Sequence, residues 1–371
     1  MTTHLLPVIR DWSEWAHVFT DAALWRPAIE RLWLAEPVLA ARSGVGRIET
    51  VRAGFPGTCA VFILNETAVI KLFPPLVAGD FERERAVYRL PAGRVPEMPR
   101  LLADGVLRDR SDWPYLITTF MPGVAWREAR ATMPAAARLA VARALGERMA
   151  HVHTTPIPSG GGWPLPDAWP RFVADRLAAA PAEWRTRAAL PERVIAEAEA
   201  LLRGVDWFDR PPRLLHADLT EDHALVTEQA GEWALSGLID WADAEVGDPT
   251  YEWVVLYFGF CGGDAALFRA FLSGYDLALG PFQSQQNGTR RTRRTRREDA
   301  EGRGETNRFS LRPSASSLRA LRVPCVPDLL AYTLLHRFGA NIIAGALPDE
   351  FRRNLSGLDE LAGRLFPGLD G

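Results

Sequence analysis

Lysine is nearly missing from this chain: among 43 basic residues, Lys71 is the only one that is not arginine. Ammonium is a compact point charge, whereas guanidinium is a broad planar fork. A position that keeps lysine here is a candidate for a tight site that needs the smaller cation. Cysteine is also scarce. Cys59, Cys261 and Cys325 are widely separated and odd in number. They argue against a disulfide framework or a cysteine metal site and fit a reduced, cytoplasmic protein. No run of 18 or more consecutive apolar residues occurs, so no membrane-spanning helix is expected. Met1–Arg10 has no basic stretch followed by an apolar one, so no secretory leader is expected there.

What is present is an ordinary globular composition, 47% hydrophobic and 24% charged, long enough for one large domain or two ordinary ones. Residues 1–44 read as a helical preface. Trp12, Trp15, Val18 and Phe19 recur at helical spacing, followed by Leu24, Ile29, Leu32 and Leu34. Ile48–Ala53 and Thr58–Leu64 are expected strands joined by the turn Gly54-Phe55-Pro56-Gly57. Asn65-Glu66 reverses the chain into a third strand, Thr67–Phe73, which carries Lys71. A charged helix over Phe81–Leu90 and an apolar strand over Tyr115–Phe120 complete a small β-rich region. Downstream the pattern is mostly helical, over Pro134–Thr154, Trp169–Ala180, Arg193–Leu202, Thr250–Phe260, Asp328–Ala344 and Glu350–Leu365. Short strands are expected within Leu214–Val226 and Trp233–Asp240.

Residues 280–322 break the pattern. They carry 11 arginines against four acidic residues, leaving the rest of the chain at about −10 against −3 overall. A like-charge block of this kind is expected to be a solvated insertion, a reading preferred to a nucleic-acid contact.

The main chemical signal is Leu214-Leu215-His216-Ala217-Asp218-Leu219-Thr220-Glu221-Asp222-His223, an apolar strand running into His-x-Asp and a polar loop. Further on, Gly237-Leu238-Ile239-Asp240 ends another apolar strand on a carboxylate. Two strand-terminal aspartates about twenty residues apart, on neighbouring strands, can converge on one point. Phosphoryl transfer needs such a pair, one carboxylate for the attacking hydroxyl and one for Mg²⁺ on the nucleotide phosphates.

His216-x-Asp218, then Ile239-Asp240-Trp241, then Gly247-Asp248-Pro249 together resemble the aminoglycoside phosphotransferase family. The resemblance covers roughly residues 45–280 and resumes after the insertion. It implies an α+β, bilobal, protein-kinase-like fold, with a small β-rich N-lobe at 45–122 and a larger helical C-lobe at 123–371. It implies an ATP- and Mg²⁺-dependent kinase acting on a hydroxylated small molecule, such as an aminoglycoside, another amino alcohol or a sugar. By the same resemblance Asp218 is the catalytic base, Asp240 the metal ligand, and His216 a residue that shapes the loop. Val69-Ile70-Lys71-Leu72 resembles the kinase strand whose lysine contacts the α- and β-phosphates. Glu84 is the implied partner of that lysine, with Glu82 the alternative. Gly54, Gly57 and Thr58 would lie over the phosphates, and Thr119, Phe120 and Met121 would meet the adenine edge. Gly247-Asp248-Pro249 would cap the next helix.

One position departs from the family. Asparagine usually stands five residues after the catalytic aspartate as an oxygen ligand; here it is His223, and imidazole is a poor Mg²⁺ ligand. Asp222 takes over, or His223 works through water, or a second metal is weakly held. The substitution also keeps open a pseudokinase that binds nucleotide without turnover, against which Lys71, Asp218 and Asp240 stand together. A protein kinase fits less well, because His216-Ala217-Asp218 lacks the usual arginine and no Ala-Pro-Glu segment follows Asp240. His151-x-His153 is read as structural and not as a metal pair. Trp241 and Trp253 flank the expected site, with core packing preferred to stacking on a substrate, and Asp243, Glu245 and Glu252 are read either as an acidic rim or as a solvated loop.

Overall fold

The computed structural model describes residues 4–90, 95–157, 168–278 and 325–369. The arginine-rich insertion expected at 280–322 lies outside them. The fold is mixed α and β, in two compact units. One comprises the described residues up to Thr132 together with His216–Ala244. The other comprises Met133–Ile157, the described residues from 168 to Leu215, and those from Glu245 onward.

The first unit is built on a five-stranded antiparallel sheet of order β1-β2-β3-β5-β4. Its strands are β1 (Val51–Ala53), β2 (Ala60–Leu64), β3 (Ala68–Leu72), β4 (Leu101–Arg108) and β5 (Asp112–Thr119). Successive strand residues point to opposite faces, and this alternation decides the layout. Phe62, Leu64, Ala68, Ile70, Leu72, Trp113, Tyr115 and Ile117 pack on one face with Trp15, Trp25, Ile29, Leu32 and Leu39. Those partners come from α1 (Trp12–Ala16), α2 (Ala22–Ala35) and α3 (Pro37–Ser43). The preface is therefore helical as expected, and it covers the sheet. Trp113 stacks on Trp15 at 5.7 Å and meets the edge of Trp25 at 5.0 Å. On the opposite face Cys59, Phe73, Phe81 and Leu116 form a smaller cluster with α4 (Ala78–Tyr88). Lys71 alternates with Ile70 and Leu72, so it falls on this second face.

Asn65 and Glu66 both have φ of +49°, which makes the expected reversal between β2 and β3 a tight left-handed turn. The sequence reading passed over β4. Asp104 and Gly105 interrupt its apolar pattern, and a Cβ at Gly105 would meet the Tyr115 hydroxyl at 2.6 Å. A second sheet, β6-β8-β9, joins Val124–Ala125 to Ala224–Gln229 and Glu232–Leu238, with α5 (Trp126–Arg130) beside it.

The second unit is helical apart from the antiparallel pair β7 (Arg213–Leu215) and β10 (Glu245–Gly247). Its helices are α6 (Ala135–Thr154), α7 (Ala168–Thr186), α8 (Glu192–Arg203), α9 (Pro249–Val255), α10 (265–278), α11 (Val326–Leu335), α12 (Gly339–Ala346), α13 (Asp349–Arg353) and α14 (Leu358–Leu365). A π-turn, Leu256–Phe260, continues α9. The helices expected over 328–344 and 350–365 are each broken in two. Asp248 caps α9 as expected, accepting from Thr250 N–H at 2.8 Å, with Pro249 in the first turn. α6 and α10 cross closely: a Cβ on Gly146 would lie 1.9 Å from Phe271 O, and one on Gly274 2.0 Å from Arg143 O.

Candidate active site

The sequence pattern Val69-Ile70-Lys71-Leu72 puts Lys71 beneath the sheet, facing α4. Its Nζ lies 2.7 Å from Glu84 Oε2 and 2.7 Å from Asp240 Oδ1, and 5.3 Å from the centre of the Phe73 ring. Glu82 is exposed and pairs instead with Arg85. Glu84 is buried and sits one turn from Tyr88, whose hydroxyl donates to it. Its second oxygen accepts from the Trp241 N–H at 3.4 Å. Arg83 donates to Ala242 O at 3.0 Å, so α4 holds the Asp240 loop at two points.

Burial favours the neutral forms of these groups, and their pairing opposes it. The Lys71 ammonium is desolvated, yet the Asp240 and Glu84 carboxylates hold its pKa well above the usual lysine value. Burial pushes the Glu84 carboxyl up despite Lys71. Burial would also raise Asp240, but Lys71 and then His223 hold it well below the usual carboxylate range.

Asp218 and Asp240 do converge, by a route different from the expected one. Asp218 follows β7 and Asp240 follows β9, and these strands belong to separate sheets. Two histidines make the connection. His216 is fully buried, and its Nε2–H donates to Ile239 O at 2.9 Å, which leaves Nδ1 to accept from the Asp218 N–H at 3.4 Å. His223 Nδ1–H donates to Asp218 O at 2.5 Å, with Thr220 Oγ1 at 3.3 Å. The His223 ring lies between the carboxylates, with Nδ1 3.7 Å from Asp218 Oδ2 and Nε2 3.9 Å from Asp240 Oδ2. The residues flanking this junction are held in the left-handed region, Ala217 at φ +62° and Asp240 at φ +63°. Such conformations cost energy in L residues and persist only where the surroundings enforce them. Asp222 is bound by Arg127.

A cavity of about 510 Å³ opens beside these groups, within the ~300–1,000 Å³ typical of small-molecule sites. Its walls include Lys71, Glu84, Asp222, His223 and Asp240, and Gly54, Gly57, Thr58, Thr119, Phe120 and Met121 also line it. In the 119–121 segment the Thr119 N–H bonds Arg100 O and the Phe120 N–H bonds Thr67 O, each at 3.0 Å.

Several neighbouring residues lie outside this site, the tryptophans in the core as preferred from the sequence. Trp241 is fully buried against His216 at 4.5 Å, with its indole N–H on Leu238 O. Trp253 is buried against Tyr275. Glu245 and Glu252 are buried and form no rim. His153 bonds Glu252 and Tyr275 at 2.7 Å each, while His151 is exposed and lies 2.6 Å from Glu147 O, so the two are not a pair. Cys59, which also lines the cavity, was not singled out as a site residue.

A sheet-borne lysine paired with a helix glutamate and one loop aspartate, with a second loop aspartate joined to the first through His223, fits a kinase-like fold. Residues 53–293 match the model of the phosphotransferase enzyme family (APH), and the chain belongs to that family. It is a phosphotransferase. Among solved structures it is similar to the GDP complex of wild-type aminoglycoside 2'-phosphotransferase-IIIa. The TM-score is 0.53 at 17% identity, over 90% of this chain and 97% of that one. A GDP and kanamycin complex of an APH(2") enzyme gives a TM-score of 0.50 at 19% identity, over 66% and 82%. At such identities the likeness is one of fold. A 91-residue stretch is 30% identical to lysine-specific demethylase JMJ21 of Arabidopsis thaliana, covering 22% of this chain. The chain spans about a tenth of the length of that curated relative. Among the described residues no helix is long and apolar enough to cross a membrane.

Proposed function

We propose that the chain is an ATP-dependent kinase that transfers the γ-phosphoryl group to an alcohol of a small molecule, such as an amino alcohol, a sugar or an aminoglycoside-like compound. The observation that carries this reading is the meeting of Lys71, Glu84, His223 and Asp240 at one cavity within one compact unit, with Asp218 Oδ2 behind the wall at 3.7 Å from the His223 ring. Lys71, locked protonated by its two carboxylates, contacts the nucleotide phosphates, and Glu84 positions it. Met121 is the residue of the 119–121 segment whose N–H has no partner among the described residues, and it is the donor assigned to the adenine ring.

The donor set also fits a divalent cation. Among the described residues no cluster of three or more acidic, histidine or cysteine side chains could hold a metal alone. Cations that travel with nucleotide phosphates need only one or two protein ligands. Asp240 would hold Mg²⁺ through Oδ2, the oxygen not paired with Lys71. When bound, the cation offsets negative charge on the phosphates. Asp218 orients the acceptor hydroxyl and takes its proton as the new oxygen–phosphorus bond forms and the bond to ADP breaks. Catalysis then rests on positioning and fixed charge, with no covalent enzyme intermediate.

The test is a coupled ADP-release screen over cationic antibiotics, amino alcohols and sugars, repeated with Asp218→Ala. That variant is expected to lose transfer while retaining nucleotide binding in a thermal-shift titration. Full activity in Asp218→Ala would refute the assignment. Nucleotide binding without turnover on any acceptor would favour the pseudokinase reading that His223 suggests.

A further inference from the structure

Resting on the kinase reading, the geometry points to His223 as a direct ligand of the cation beside Asp240, through Nε2, giving a site that takes Mn²⁺ or Co²⁺ in preference to Mg²⁺.

The first support is the tautomer. A carbonyl oxygen can only accept, so the 2.5 Å contact from His223 Nδ1 to Asp218 O places the ring proton on Nδ1. In the neutral form of the ring, the form a metal binds, Nε2 is then the nitrogen with the free lone pair. A metal-binding histidine has this arrangement, with its second nitrogen donating to a main-chain carbonyl that fixes ring and tautomer.

The second support is spacing. Nε2 lies 3.9 Å from Asp240 Oδ2, while Asp240 Oδ1 is the oxygen engaged by Lys71. Two donors with metal bonds of about 2.1 Å that share one ion stand roughly 3.0–4.2 Å apart. The ring lines the cavity and lies 5.8 Å from His216, nearly parallel to it, so it is packed into this orientation.

The third support concerns the competitor. Asp222, the neighbouring carboxylate that could replace His223, already has Oδ1 engaged by Arg127. A nitrogen donor next to one carboxylate favours first-row transition ions, whose affinity rises from Mn²⁺ through Co²⁺, over the oxygen-seeking Mg²⁺.

The experiment uses the full chain with a non-hydrolysable ATP analogue. Pulsed electron paramagnetic resonance of the Mn²⁺–nucleotide complex should show nitrogen modulation from a coordinated imidazole, lost in His223→Asn. In parallel, free-Mn²⁺ titration with Mg²⁺ competition should give a preference for Mn²⁺ on the order of tenfold or more, falling to near parity in His223→Asn. The spectrum of the unaltered protein is decisive even if the variant folds poorly. Analogue and Mn²⁺ bound without nitrogen modulation would overturn the imidazole ligand and leave the kinase reading intact. Failure of the analogue to bind with any cation would overturn both.

Discussion

Replacing Lys71 by methionine matches the apolar stem of the side chain and removes its charged end, leaving Glu84 and Asp240 without their shared cation. The two carboxylates differ in what they can do about it. Asp240, although desolvated on the side facing Lys71, has 38% of its side chain exposed, so the loss of its partner is partly screened. Glu84 is 2% exposed and keeps only the Tyr88 hydroxyl and the Trp241 N–H. Leaving a buried charge unpaired costs about 3–5 kcal/mol, but a carboxyl can escape by taking a proton. That escape costs about 1.4 kcal/mol for each pH unit above its unfolded pKa. From the ordinary value of 4.5, the penalty is about 0.7 kcal/mol at pH 5 and about 5 kcal/mol at pH 8, where the unpaired-charge ceiling takes over. The sign follows from linkage. A raised carboxyl pKa gives stability that is complete below the unfolded pKa and lost as pH climbs towards the folded one. Denaturant unfolding followed by tryptophan fluorescence should therefore show Lys71→Met near the parent at pH 5 and several kcal/mol weaker at pH 8. The Lys71→Met/Glu84→Gln double variant, whose buried group is neutral, should lose that extra pH dependence. Equal destabilisation of the single variant at both pH values, or an unchanged slope in the double variant, would refute the reasoning.

Other substitutions have signs that the packing decides. His216→Leu strands Ile239 O and unties the Asp218 loop from the Asp240 loop, so stability should fall by about 1–3 kcal/mol and turnover more steeply, with His216→Gln recovering part of both in melts and ADP release. Gly146→Ala should destabilise by about 1–3 kcal/mol or more although alanine is the better helix former by about 1 kcal/mol, because its methyl would sit against Phe271 O; thermal unfolding checks the sign. Cys59 and Cys261 are buried and Cys325 exposed, and burial pushes the Cys59 thiol far up. A thiol reagent should therefore modify Cys325 first and reach the other two only after unfolding, and saturating nucleotide should leave the fast phase unchanged.

The site was legible where chemistry and periodicity coincided. Lys71 stood out twice, as the lone lysine and as the polar member of an apolar strand, and the choice of Glu84 over Glu82 agrees with the ion pair. Asp218 and Asp240 were marked by apolar strands ending on carboxylates. Their meeting was not legible as it occurs, since it runs through His216 and His223 and through left-handed backbone at Ala217 and Asp240. β4 was missed because Asp104 and Gly105 break its alternation, and Gly105 is there to make room for Tyr115. The long C-terminal helices were overextended because apolar spacing continues through residues 336–338 while the backbone turns. Trp241 and Trp253 pack in the core, the reading preferred from the sequence, whereas Glu245 and Glu252 are neither rim nor solvated loop, and only packing shows that they face inward.

The first unit is discontinuous in the chain, and synthesis must respect that order. All five strands of its main sheet have been made once Thr119 is added, so Lys71 and Glu84 can meet as a self-neutral pair. β8, β9 and Asp240 follow more than a hundred residues later, roughly 5–25 s at ordinary elongation rates. A nascent chain halted between them has somewhere to put its ammonium group but lacks Asp240, the carboxylate proposed to hold a cation, so it can fold its first sheet well before the proposed site is complete.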